Sequence, residues 1–222
     1  MILKEHRKAL CIVNSRRHAH ALYEIAKKRI EGNVYHLSTL MTPLHRREVL
    51  KEIRELLKEG EDVTVISTSL IEAGVDIDFP LVIRSIAGLD SIIQAAGRAN
   101  REGKLESGKV IIFDPDSKDG RIPSAMQAMA SITREVISVL NDKAFELEGI
   151  KMYFELLYSH AEVDGKLDSR GILKEFEING KFKKFNFESA AQKYKIIEDN
   201  TRNIIVNTSA DSEKLVKELR LG

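Results

Sequence analysis

Gln94-Ala95-Ala96-Gly97-Arg98-Ala99-Asn100-Arg101 sets two permanently charged guanidiniums beside a glycine turn. Upstream, Ser67-Thr68-Ser69-Leu70-Ile71-Glu72-Ala73-Gly74-Val75-Asp76 places hydroxyls, a glycine and a carboxylate where a strand gives way to a loop. The spacing predicts a helix capped at Asp90 that carries Gln94 through Arg101. Three residues apart, Arg98 and Arg101 then project from one helix face. An arginine pair held at a domain surface suits the charge that builds on a transferring γ-phosphoryl group, because a planar fork meets two oxygens at once. A solvated pair on an ordinary helix is the plain alternative. The Thr68, Gly74 and Asp76 pattern at its distance upstream favours the phosphate reading.

Working outward, short β-branched runs alternate with longer amphipathic stretches, the pattern of a parallel sheet covered by helices. Leu10-Cys11-Ile12-Val13-Asn14 reads as a buried strand, followed by a helix from Arg16 to Ile30 that Ser15 caps and Gly32 ends. Val34 to Leu37 is a second strand. Pro43 opens a periodic helix with Leu44, Val49, Leu50, Ile53, Leu56 and Leu57 inward, closed at Gly60. Val63 to Ile66, Leu81 to Ile86 and Val110 to Asp114 complete five strands. Asp114-Pro115-Asp116-Ser117-Lys118-Asp119-Gly120 is a turn-rich linker. Helices follow over roughly Ser124 to Leu140 and Glu148 to Glu162. The tail from Gly171 mixes short strands and helices, with Lys181, Lys183 and Lys184 beside Phe182, Phe185 and Phe187. The expected organisation is an α/β domain over residues 1–118, then a smaller, mostly helical region over residues 119–222.

Bulk composition narrows the function classes. The 222 residues are 43% hydrophobic and 31% charged, an ordinary globular balance. Lys and Arg number 35 against 34 Asp and Glu, a formal net charge of +1, so nucleic-acid contact has to come from a local patch. The single Cys11 excludes an intramolecular disulfide and, within Ala9-Leu10-Cys11-Ile12-Val13, reads as core. Lys4, Glu5, Arg7 and Lys8 have no apolar segment behind them, so no signal peptide is expected, and no apolar run is long enough for a bilayer. The expectation is a soluble cytoplasmic protein.

Thr68 closes the third strand, at the carboxyl edge where open parallel sheets meet their ligands. A hydroxyl and free backbone N–H groups there can hold a phosphate without reading a base. Gly74 permits a tight backbone path, and Asp76 can accept hydrogen bonds from a ribose. Ser15 after the first strand and Ser38 after the second lie at the same edge, so a row of hydroxyls could track a nucleic-acid backbone; each alone reads first as a helix cap, and only the set points to a strand. His45-Arg46-Arg47 and Lys27-Lys28-Arg29 are charge runs whose default is a solvated face. No histidine pair has metal-ligand spacing, since His18 and His20 diverge on a helix, and His6, His36, His45 and His160 are scattered. No His-Asp dyad, no G-x-x-x-x-G-K-[ST] loop and no strand ending in Asp-Glu occurs, so no metal is expected to be held by this chain.

Residues 10–114 resemble the second RecA-like domain of superfamily 2 helicases and translocases. Within them, Glu72-Ala73-Gly74-Val75-Asp76-Ile77-Asp78-Phe79 and Gln94 through Gly103, with its Asn100-Arg101-Glu102-Gly103 ending, look most like the CRISPR-associated helicase-nuclease of type I systems. Met41-Thr42-Pro43 with Arg46 is similar to that family's segment after the second strand. The tail Phe187-Glu188-Ser189-Ala190-Ala191-Gln192-Lys193-Tyr194-Lys195-Ile196-Ile197, leading to Ile204-Ile205-Val206, resembles the start of its C-terminal accessory domain. The resemblance implies ATP-driven translocation on single-stranded DNA, recruited by an RNA-guided surveillance complex. It implies that Arg98 and Arg101 face the γ-phosphate, with Arg101 the arginine finger, that Gln94 senses the nucleotide, and that Gly74 and Asp76 lie near the ribose. Ser15, Ser38 and Thr68 would hold the DNA backbone. ATP and Mg²⁺ would be bound jointly with a first RecA-like domain, expected together with a nuclease domain on the rest of a longer chain or on a separate subunit. Another superfamily 2 DNA or RNA helicase, or a non-catalytic docking module, are the competing readings.

Overall fold

Lys8–Val13 (β1) sends successive side chains to opposite faces, and from Ala9 on every one of them is buried. The computed structural model describes residues 3, 6–72, 75–101, 103, 106–115, 118, 120–163, 165, 167–176, 185–194, 205, 207 and 210–219. Leu10 and Ile12 share one core with Leu37, Val63, Val65, Val82 and, from Pro43–Glu59 (α2), Leu50 and Ile53. Ala9, Cys11 and Val13 share the other with Ala19 and Ala26 of Arg16–Arg29 (α1). A strand buried on both faces belongs in the middle of a parallel sheet. There it stands: Asn33–Leu37 (β2), Val63–Thr68 (β3), Leu81–Ser85 (β4) and Lys109–Phe113 (β5) join β1 in the order β2-β3-β1-β4-β5, every pair parallel.

Local signals set most boundaries. Ser15 Oγ accepts the His18 N–H at 3.1 Å and starts α1. Thr42 Oγ1 accepts the His45 N–H at 3.4 Å ahead of Pro43, and Gly60, at φ 90°, closes α2 in the left-handed region that an L side chain resists. Leu44 departs from the inward set expected for α2. It is 52% exposed, because its turn precedes the part of the helix that Leu50 and Ile53 press onto the sheet.

The helix after β4 is shorter than its sequence suggests. It covers only Leu89–Ala96 (α3), with Gly88 at the N-cap position and Asp90 inside the first turn, not capping it. Beyond Gly97 the chain is pulled out to pair with Phe79. The Phe79 N–H donates to the Arg98 carbonyl at 3.0 Å, and the Asn100 N–H to the Phe79 carbonyl at 3.1 Å. Ala99 forms a parallel bridge with Phe79, and Asn100 takes φ 56°, a conformation asparagine tolerates better than most residues. Arg98 and Arg101 are therefore not on a shared helix face.

Ser124–Leu140 (α4) and Leu147–Val163 (α5) bury α3: Leu89 packs with Ile132, Val136, Ala144 and Tyr153. By compactness the chain divides into Met1–Val163 and Asp164–Gly222, so these two helices join the sheet's unit, although the sheet itself ends before residue 118. The second unit contains a 3₁₀ turn at Leu173–Phe176 and the helices Phe187–Lys193 (α6) and Ala210–Leu219 (α7). Lys193 pairs with Glu175, and the rings of Phe176, Phe185 and Phe187 cluster at 5.6 to 6.2 Å between centroids. Lys181, Phe182, Lys183 and Lys184 lie outside the described residues.

Candidate functional site

The parallel register levels the strand ends. Val13 pairs with Thr68 and Leu37 with Ser67, so Ser38 and Thr68 reach the carboxyl edge together, beside Asn14 and Ser15. At the usual strand spacing the row is roughly 10 Å long. Its members differ in what they offer. Ser15 is half-buried and its oxygen caps α1. Thr68 is 7% exposed and opens the 3₁₀ turn Ser69–Ile71. Ser38 is 1% exposed, and its hydroxyl finds no hydrogen-bond partner among the described residues.

Two arginines leave the loop after α3 in different states. Arg98 is buried, and its Nη2 donates to the Glu72 carbonyl at 2.6 Å. Burial first, then the neighbouring Arg101 charge, pulls this guanidinium below its ordinary pKa. Arg101 is open to solvent, with Nη1 2.6 Å from Asp76 Oδ1. Its backbone N–H donates to Asp78 Oδ1 at 2.7 Å, so both carboxylates of the Asp76–Asp78 stretch hold this one residue. That stretch is itself anchored: Val75, Ile77 and Phe79 alternate into the core while Asp76 and Asp78 point outward. Arg54 of α2 also donates to the Asp76 carbonyl at 3.0 Å. Gln94 is exposed on the last turn of α3. Gly74 lies outside the described residues.

Sequence reasoning missed the group beneath these two places. Arg84 of β4 is fully buried, with Nε 2.9 Å from Glu72 Oε1. Its Nη1 donates to Asn14 Oδ1 at 2.7 Å and to the Ser85 carbonyl at 2.8 Å, and its Nη2 to Ser91 Oγ at 2.9 Å. Ser91 in turn donates to Glu72 Oε2 at 2.8 Å, and Asn14 Nδ2 to the Ile86 carbonyl at 2.7 Å. Burial pushes the Glu72 carboxyl up, and Arg84 and Ser91 oppose that push by stabilising the carboxylate. The signal was visible in Leu81-Val82-Ile83-Arg84-Ser85-Ile86: an arginine within a buried strand requires a partner.

The fold brings the His20 and His36 rings to 6.1 Å, yet no group of three or more metal-ligating side chains forms among the described residues. A cavity of about 380 Å³ opens at the opposite, amino edge of the sheet between Arg7, Arg29, Asn33 and Asp62, away from the arginine loop. Among the described residues, no helix is long and apolar enough to cross a membrane.

Comparison with known proteins bears on this geometry. Residues 5–104 match the family described as CRISPR-associated nuclease/helicase Cas3, C-terminal. The CRISPR-associated nuclease/helicase Cas3 of Haloferax volcanii is 43% identical over 94 residues, covering 40% of this chain and 10% of that protein. Its namesake from Methanothermobacter thermautotrophicus is 31% identical over 163 residues, 70% of this chain and 19% of that one. The chain thus spans less than a fifth of either relative. The crystal structure of T. fusca Cas3 superposes with a TM-score of 0.59 at 14% identity, over 90% of this chain and 27% of the other. The fold is accordingly that of a RecA-like helicase domain.

Proposed function

We propose that this chain, whose residues 5–104 match the family described as CRISPR-associated nuclease/helicase Cas3, C-terminal, is the C-terminal motor half of an ATP-dependent translocase on single-stranded DNA acting in CRISPR interference. The observation that carries the reading is Arg101. Its main chain is pinned by Asp78, its neighbours pair with Phe79, and its guanidinium stands open to solvent. A held but exposed arginine is what phosphoryl transfer recruits, because that chemistry is almost entirely positioning and charge stabilisation. Arg101 then swings from Asp76 onto the γ-phosphoryl oxygens, while Arg98 stays on the Glu72 carbonyl and braces the loop. Asp76, relieved of its partner, accepts from the ribose beside Gly74, and Gln94 reports the nucleotide. ATP with Mg²⁺ supplies the reactive phosphoryl group, held on its other side by a first RecA-like domain.

In this reading the carboxyl edge at Ser15, Ser38 and Thr68 carries the DNA backbone, which positions a strand without reading its bases; Ser38 and Thr68 are buried in the chain alone and are uncovered when the strand engages that edge. The partners are the nuclease and first helicase domains and an RNA-guided surveillance complex, in the cytoplasm. A second reading, another superfamily 2 DNA or RNA helicase, draws on the same arginine loop and differs in substrate and partners.

The test joins the chain to a RecA-like domain bearing the phosphate loop. The chain by itself should hydrolyse no ATP, since half the site is elsewhere. In the assembly, Arg101→Lys should lower kcat on the order of 10³-fold, nearly as far as Arg101→Ala, with little change in ATP affinity. Near-wild-type turnover of the lysine variant would remove Arg101 from the chemistry.

A further inference from the structure

We propose that Arg84 is a positioning residue that ties the arginine-bearing loop to the carboxyl edge of the sheet, so that a strand gripped at that edge bears on the placement of Arg98 and Arg101. The inference deepens the motor reading above and rests on it. One buried guanidinium touches four segments at once: Glu72 after β3, Ser91 on α3, the Ser85 carbonyl on β4, and Asn14 at the end of β1. Each end of this set leads to a proposed contact in a single step. Glu72 holds Arg84 with its carboxylate and Arg98 with its backbone carbonyl. Asn14 receives Arg84 on its side-chain oxygen and continues directly into Ser15, the cap of α1.

Stability alone does not call for such a set, because an apolar cluster of the same volume commonly serves a fold as well as a buried ion pair does. What the charged set supplies is direction. The rigid fork of an arginine fixes angles as well as distances among its acceptors, which a lysine or an apolar side chain cannot. Movement of Asn14 is therefore passed from Arg84 through Ser91 to Glu72 by hydrogen bonds of defined geometry, with the Arg84–Glu72 ion pair alongside, and from Glu72 to Arg98. The path is a contiguous run of packed, hydrogen-bonded groups, the physical requirement for coupling two places in one domain.

Hydrogen exchange on the chain reads this linkage without any motor activity. Arg84→Lys keeps a charge opposite Glu72 but cannot reach Asn14, Ser85 and Ser91 together. The Asn100 and Arg101 amides, bonded to the Phe79 carbonyl and Asp78 Oδ1, should then exchange about tenfold faster while amides within β1 and β3 keep their protection. Asn14→Ala leaves the Glu72–Arg84 pair in place and should show the same effect in smaller measure; it decides the matter if Arg84→Lys fails to fold. Unchanged exchange at Asn100 and Arg101 in Asn14→Ala overturns the proposal. In the assembly with a phosphate-loop domain, Asn14→Ala should lower the ratio of DNA-stimulated to basal turnover about tenfold, with ATP KM and DNA Kd held within about twofold. A parallel loss of DNA affinity would make Asn14 a strand contact instead and overturn the linkage. A wild-type assembly without DNA-stimulated turnover removes the motor reading, and the exchange measurement still decides the linkage.

Discussion

Arg98 and Arg101, three residues apart, do different work because one is buried and the other is not. The Arg101–Asp76 pair is exposed on both sides, and such pairs contribute about 0–1 kcal/mol to stability. Arg98 makes a charge-assisted bond to the Glu72 carbonyl from a buried position, worth roughly 1.5–3 kcal/mol. Urea unfolding should therefore leave Arg101→Ala close to wild type and move Arg98→Ala clearly downward. The opposite ranking would make Arg101 the structural arginine and Arg98 the one available for chemistry. At this scale the residue types were legible, since two guanidiniums, a carboxylate and a glycine were all named from the sequence. Their burial was not, because it depends on the Glu72 carbonyl, a backbone group that no sequence pattern displays.

Among the elements, the loop after α3 is shaped by its neighbours more than by its own propensity. Gln94 to Arg101 contains good helix formers, yet the backbone groups of Phe79 take Arg98 and Asn100 out of the helix. Gly108 completes the fit on the other side. A Cβ there would stand 2.7 Å from the carbonyl carbon and oxygen of Ala99 and 2.9 Å from its Cβ. Two of those atoms are backbone and cannot rotate away. Gly108→Ala should cost about 1–3 kcal/mol through overpacking, and it should speed exchange of the Asn100 amide before any amide of β1. Equal loss of protection in both places would show that Gly108 supports the whole sheet and not this loop. By contrast, α4 appears in the structure with the limits read from sequence, since its apolar period and the turn before it are local properties.

For the molecule as a whole, pH bears on stability through the core. Burial pushes the Cys11 thiol from 9.0 up to about 12. A group whose pKa is raised on folding stabilises fully below its unfolded value and loses that contribution as pH rises through the folded one. The window is thus about pH 9 to 12, with a slope near 1.4 kcal/mol per pH unit inside it. Urea midpoints should fall between pH 8.5 and about 10.5 more steeply for the wild type than for Cys11→Ala, whose cavity cost is the same at every pH. Parallel curves would mean that Cys11 is reachable by water in the folded chain.

Strand order offers the broadest contrast between the two levels of description. Five apolar runs alternating with amphipathic stretches were enough to determine a parallel sheet with helices on both faces, because periods of 2 and 3.6 are written into consecutive residues. The family was legible as well, in Glu72 through Phe79 and Asn100 through Gly103. Only the tertiary structure decided which arginine is held and which is open, that Asp76 is Arg101's partner, and that Ser38 is sealed beneath the edge. It alone joined Asn14, Glu72, Arg84 and Ser91, residues up to 77 positions apart in the chain. Such a cluster has no period and no local spacing. It exists because four segments end at one edge of one sheet, where a buried charge can be tolerated only if all of them supply partners.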